Sequence, residues 1–158
     1  MFSDVFGLVV VHEVNHVVDA FYIERNEELA GWKRRLIERA GDEPMNYLRS
    51  MFPRGFFRKN PQEFFASISN QWFANTSHTL RLALKRFDEG YTEPLNQFLF
   101  FAEVYSRGGN YTLFYDLDVK GRLSVRKVPV IRDSAGRIVA LNAGLKWLMF
   151  KLDDNGKV

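Results

Sequence analysis

The feature that most constrains this chain is a change of hydrophobic period at Asn110. Upstream of it, apolar residues recur at helical spacing; downstream, alternation and β-branched residues take over. The 158 residues are enough for one domain with a real core, or for a compact domain plus a small appended module. The expected fold class is therefore α+β, with a mainly helical domain over residues 1–107 and a hairpin-rich β module over residues 108–158.

Within the first part, residues 5–25 read as one largely buried helix, dense in valine, with a polar stripe at His12, Glu13, Asn15, His16 and Asp19. Residues 27–39 have acids first and bases last, the order that complements a helix dipole, and Gly41 follows as a stop signal, so an exposed helix is expected. Pro44, Pro53 and Gly55 break up the next stretch into a short helical piece over 45–51 and a loop. Asn60-Pro61 opens a strong helix to about Asn75, because Asn is a preferred N-cap and Pro is tolerated at the first helical position. Two more helices follow, over 78–87 and 92–105; the second carries Phe98, Phe100, Phe101 and Tyr105 as core.

Strands are expected over 112–118, 122–128, 130–133, 137–141 and 145–152. An Asp-x-x-Gly turn followed by a base and an aliphatic residue recurs at Asp118, Asp133 and Asp153, with Gly121, Gly136 and Gly156 supplying positive φ. The third copy breaks off at Val158 where a partner strand is expected, which reads as a piece of something longer.

Composition removes several classes of function. There is no cysteine, hence no disulfide framework, thiolate metal site or cysteine nucleophile. The net charge of +3 gathers in Lys33, Arg34, Arg35, Arg39 and again in Arg54, Arg58, Lys59. These clusters are not interleaved with exposed stacking aromatics, so solvated surface is expected and nucleic acid is not. The start, Met1-Phe2-Ser3-Asp4, lacks a basic n-region, and the apolar run over 6–11 is far shorter than the ~20 residues that span a bilayer. Neither a signal peptide nor a membrane span is expected, and the compartment stays open.

The chemistry concentrates in His12-Glu13-Val14-Asn15-His16, an H-E-x-x-H pattern. Residues four apart stand on one helix face, so two imidazoles reach a single metal, and Glu13 beside the first is placed to take a proton from a metal-activated water. Only three histidines occur in the chain, and a chance match at this spacing in so short a sequence is an event of roughly one per cent. Zinc is the expected cofactor.

A catalytic zinc needs a third protein ligand. Asp19 and Tyr22 occupy the positions where a metzincin would carry glycine and a third histidine, which excludes that class. Glu38 has a thermolysin-like separation from His16 but sits in a charged segment; Glu63, in Asn60-Pro-Gln-Glu63-Phe-Phe-Ala66, is the better candidate. The competing role for Glu63 is a capping box with Asn60. Asp19 shares the stripe of His12 and His16 and has two readings: a hydrogen-bond acceptor that orients a ligand, or an ordinary surface aspartate.

His12-Glu13-x-x-His16-x-Val18-Asp19, followed after a long excursion by Glu63-Phe64-Phe65-Ala66, resembles the catalytic domain of the anthrax lethal factor-type gluzincins, over about residues 9–73. The resemblance implies a zincin-like helical domain in which His12, His16 and Glu63 hold zinc and Glu13 is the general base. It also implies a peptide or protein substrate and leaves secretion open. Two departures stand against it. Where that family has an oxyanion-stabilising tyrosine this chain has Phe56 or Phe57, so a donor must come from elsewhere, with His78, Tyr47 and Tyr91 the candidates. Zincins also place a sheet with a substrate-binding edge strand before the first motif, and eleven residues precede His12. The expected function is a zinc-dependent metallopeptidase; the alternative is a catalytically degenerate zincin-like protein acting as a binding module.

Overall fold

The computed structural model describes residues 4–39 and 55–158. The fold is α+β: among the described residues there are six α-helices and a four-stranded antiparallel sheet. The chain divides into two compact units, Met1–Phe73 and Ala74–Val158. The change from helix to strand falls near residue 108 as expected, but the compact units part at Phe73 because the last two helices cluster with the sheet. The short helix expected over 45–51 lies outside the described residues. No helix of the described residues is long and apolar enough to cross a membrane.

In the first unit, helix α1 (Asp4–Val18) runs without a break into a π-helical turn, Asp19–Ile23, closed by Glu24 N–H donating to Asp19 O at 2.8 Å. Helix α2 (Glu27–Arg39) is started by Asn26, whose Oδ1 accepts from Leu29 N–H at 3.1 Å. It is not the exposed helix that its charges suggest: Leu29, Ala30, Lys33, Leu36 and Ile37 recur at helical spacing and are all buried. A short helix α3 (Phe56–Lys59) leads into α4 (Gln62–Ala74), whose Phe64, Phe65, Ala66, Ile68 and Trp72 are buried.

Helix α1 departs from expectation in the other direction. Val9, Val10, Val14, Val17 and Phe21 are 45–60% exposed. Four of the valines expected to bury this helix thus lie on its solvent face and Val11 and Val18 are half-buried, while Asn15 and Asp19 are buried.

In the second unit, α5 (Thr76–Asp88) is capped by Asn75, whose Oδ1 accepts from His78 N–H at 2.9 Å. Helix α6 (Glu93–Ser106) is buried on almost every side, with Phe98 edge-on to Phe114 of the sheet at 5.9 Å. Strands β1 (Tyr111–Leu117), β2 (Leu123–Arg132), β3 (Ile138–Leu141) and β4 (Leu148–Met149) form a meander in chain order.

The two strands expected on either side of Pro129 are one. The first part of β2 pairs with β1 up to Tyr111↔Pro129, and its last part pairs with β3 from Val130↔Leu141. Pro129 sits at this handover, where its carbonyl accepts from Asn142 N–H at 3.0 Å and its missing N–H interrupts neither ladder. The last expected strand shrinks to Leu148–Met149, since Leu145 is fully exposed and unpaired with the sheet.

The three Asp-x-x-Gly turns share one construction. Asp118, Asp133 and Asp153 each accept backbone N–H bonds on Oδ1 from the residues two and four positions on, at 2.8–3.0 Å. Gly121 and Gly136 take φ of 74° and 82°, a conformation strained for any residue with a Cβ.

Candidate metal centre

The i, i+4 spacing on α1 places His12 and His16 on one face, with ring centroids 4.7 Å apart. Helix α4 supplies Glu63 from 51 positions further along the chain. Glu63 Oε2 lies 3.0 Å from His12 Nε2, Glu63 Oε1 lies 3.5 Å from His16 Nε2, and the two Nε2 atoms are 3.1 Å apart. All three side chains are partly buried, with exposures of 23%, 28% and 30%.

The chemistry of this donor set fits a small divalent cation. An imidazole nitrogen carries either a proton or a lone pair, and an ionised carboxylate only accepts. Three mutual contacts among two such nitrogens and a carboxylate cannot all be hydrogen bonds. If both nitrogens are protonated, the His12–His16 contact sets proton against proton; if only one is, the other faces Glu63 lone pair to lone pair. A cation at the centre meets all three lone pairs. Tetrahedral zinc with bonds of about 2.0–2.1 Å requires donors about 3.3–3.4 Å apart, and the contacts here span 3.0–3.5 Å.

Glu63 is not used as a helix cap. Asn60 N–H donates to Phe56 O at 2.9 Å and the Asn60 amide donates to the same carbonyl at 3.0 Å, so neither half of a capping box is formed. Its neighbour Phe64 is buried edge-on against Phe57 at 5.5 Å, which anchors the first turn of α4. Glu13 is exposed; its carboxylate and the two imidazoles lie within 4.8 Å of one another, and His12, Glu13 and His16 by themselves could hold an ion. The triangle through Glu63 is the tighter of the two donor sets, with contacts of 3.0–3.5 Å.

Glu38 is exposed on α2. His78 belongs to the second unit, at the capped start of α5, where its ring is exposed and has no hydrogen-bond or ion-pair partner among the described residues. Tyr91, also in the second unit, follows α5 with its N–H on Arg86 O at 2.9 Å. Tyr47 lies outside the described residues.

Asp19 is neither the ligand orienter nor the surface aspartate of the sequence reading. Its Oδ1 accepts from Lys33 Nζ at 2.8 Å in a pair exposed by only 4–6%, and Lys33 also meets Glu24. Burial pushes the Asp19 carboxyl up from its ordinary 3.8, and the Lys33 ammonium opposes that shift. Lys33 was expected in a solvated cluster. Its position four residues after Leu29 and four before Ile37 puts it on the buried stripe of α2, a signal the charge run concealed.

Compared with known protein families, curated proteins and solved structures, the chain matches none of them.

Proposed function

We propose that this chain is a zinc-dependent metallopeptidase of the gluzincin type, with His12, His16 and Glu63 as metal ligands and Glu13 as general base. The observation that carries the reading is the His12–His16–Glu63 triangle, whose contacts of 3.0–3.5 Å are frustrated without a cation and match the donor separations of a tetrahedral one. When bound, zinc supplies a Lewis acid for the scissile carbonyl and lowers the pKa of a water towards ~7.

Glu13 receives the proton of the attacking water on a carboxylate oxygen and passes it to the departing amine. Its exposure leaves that oxygen reachable by substrate. The hydrophobic contact of Phe57 with Phe64 holds the start of α4, and through it the Glu63 carboxylate, against the two imidazoles.

A second reading is favoured by Phe56 and Phe57, which put phenyl rings where the resemblance expects a tyrosine hydroxyl. On that reading the chain binds zinc and acts as a binding module without hydrolysis. Both readings predict near-stoichiometric zinc by elemental analysis, lost in His12→Ala and Glu63→Ala. They part on cleavage of a denatured protein substrate, which the peptidase performs and Glu13→Gln abolishes while retaining its zinc. A parent chain without zinc removes both.

A further inference from the structure

In the second unit, α5, β1, β4 and the loop after β3 border a half-open cavity of about 510 Å3, within the ~300–1,000 Å3 range of small-molecule sites. Leu80 and Leu84 of α5, Phe114 of β1 and Leu148 of β4 give it an apolar floor.

Hydrogen bonds fix two of its lining residues, Ser77 and Ala143. Arg126 donates to Ala143 O at 3.1 Å and to Ser77 Oγ at 3.0 Å, with its guanidinium 5.3 Å above the Phe114 ring. Asp116 accepts from Ser77 N–H and Oγ–H at 2.9 and 2.8 Å, which ties α5 to β1 at the cavity's end.

Charge selects the occupant. Arg81 and Lys146 line the cavity, no acidic residue does, and neither cation has an ion-pair partner among the described residues. Arg126 and Asp116 are already engaged with each other and with the wall. Both cations are exposed, so an anionic head group at the rim gains charge-assisted hydrogen bonds, while an alkyl chain covers the part-exposed Leu84 and Leu148 that an inorganic anion would leave in water.

We propose that this cavity binds a single-chain carboxylate amphiphile, its alkyl chain against Leu84 and Leu148, above the buried Leu80 and Phe114, and its head group answered by Arg81 and Lys146. The proposal is independent of the zinc reading.

The test is calorimetric titration of the full chain with monomeric decanoate and with 1-decanol, in the parent and in an Arg81→Gln/Lys146→Gln variant whose fold is checked by circular dichroism. Both substituted positions are exposed, so the variant folds. Saturable one-to-one decanoate binding is expected, weakened about tenfold or more in the variant, with decanol binding both proteins alike. Absence of decanoate binding overturns the proposal, as does decanoate binding no tighter than decanol or unchanged in the variant. Binding only to anionic vesicles would assign the surface to a membrane, and self-association abolished by Leu84→Asp would assign it to a second copy; each also overturns it.

Discussion

Replacing Glu63 by alanine removes one of three donors whose mutual distances are 3.0, 3.1 and 3.5 Å. Apparent zinc-binding free energies of ~10–16 kcal/mol in four-ligand sites correspond to roughly 3 kcal/mol per ligand, so zinc affinity should fall about 100-fold. The fold should survive. At 30% exposure the carboxylate's contacts with the imidazoles are worth at most ~1 kcal/mol without metal, and Phe64, Phe65 and Ala66 continue to bury α4. The assay is competition against a zinc-chelating indicator, with urea unfolding of the metal-free proteins alongside. Glu13→Gln is the internal control: its oxygens are outside the triangle, and its zinc affinity should stay within about threefold of the parent. Unchanged zinc affinity in Glu63→Ala would refute the ligand assignment. An equal loss in Glu13→Gln would shift the third ligand to Glu13.

Other consequences follow from the same geometry. Saturating zinc at about 100 times its Kd should stabilise the chain by roughly 2.7 kcal/mol, a rise of about 5–10 °C in melting temperature that excess chelator removes; superimposable melts with zinc and with chelator would contradict this. Asp19→Asn leaves the buried Lys33 ammonium with only Glu24, itself 46% exposed, and should cost about 3 kcal/mol in urea unfolding, with Asp19→Leu/Lys33→Met recovering most of it; a loss under 1 kcal/mol would mean that the pair is solvated. Backbone N–H bonds from Arg122, Arg137 and Lys157 hold the Asp118, Asp133 and Asp153 carboxyls below their ordinary 3.8. Their folded values are depressed, so the turns' contribution is complete above about pH 4 and is lost as pH falls through the folded values. Amide-exchange protection at Gly121, Gly136 and Gly156 should drop on acidification, and protection constant down to pH ~2 would contradict that. Gly136→Ala meets no atom within 4 Å but keeps φ at 82°, so a cost of about 1–2 kcal/mol is expected from the backbone alone, against none if the turn can change type.

What the sequence by itself determined is what short-range geometry controls. Hydrogen bonding within a few residues sets helix and strand periods, so the helices on both sides of Gly90, the hairpin turns at Asp118 and Asp133, and the shared face of His12 and His16 are all legible without a structure. Which buried or exposed face a helix presents is not a local property. Val9, Val10, Val14 and Val17 of α1 have the composition of a core and lie in solvent, while Lys33, in a run of bases, is buried on Asp19, because burial depends on what the chain brings alongside. The same reason joined two expected strands through Pro129, whose neighbours change from β1 to β3 at that residue. The meeting of Glu63 with two imidazoles 51 and 47 positions away was a candidate among others in the sequence, where Glu38 and a helix cap competed with it. Only the path of α4 past α1 separates them, since bringing distant donors within 3.5 Å of each other is decided by tertiary packing and has no periodicity to announce it.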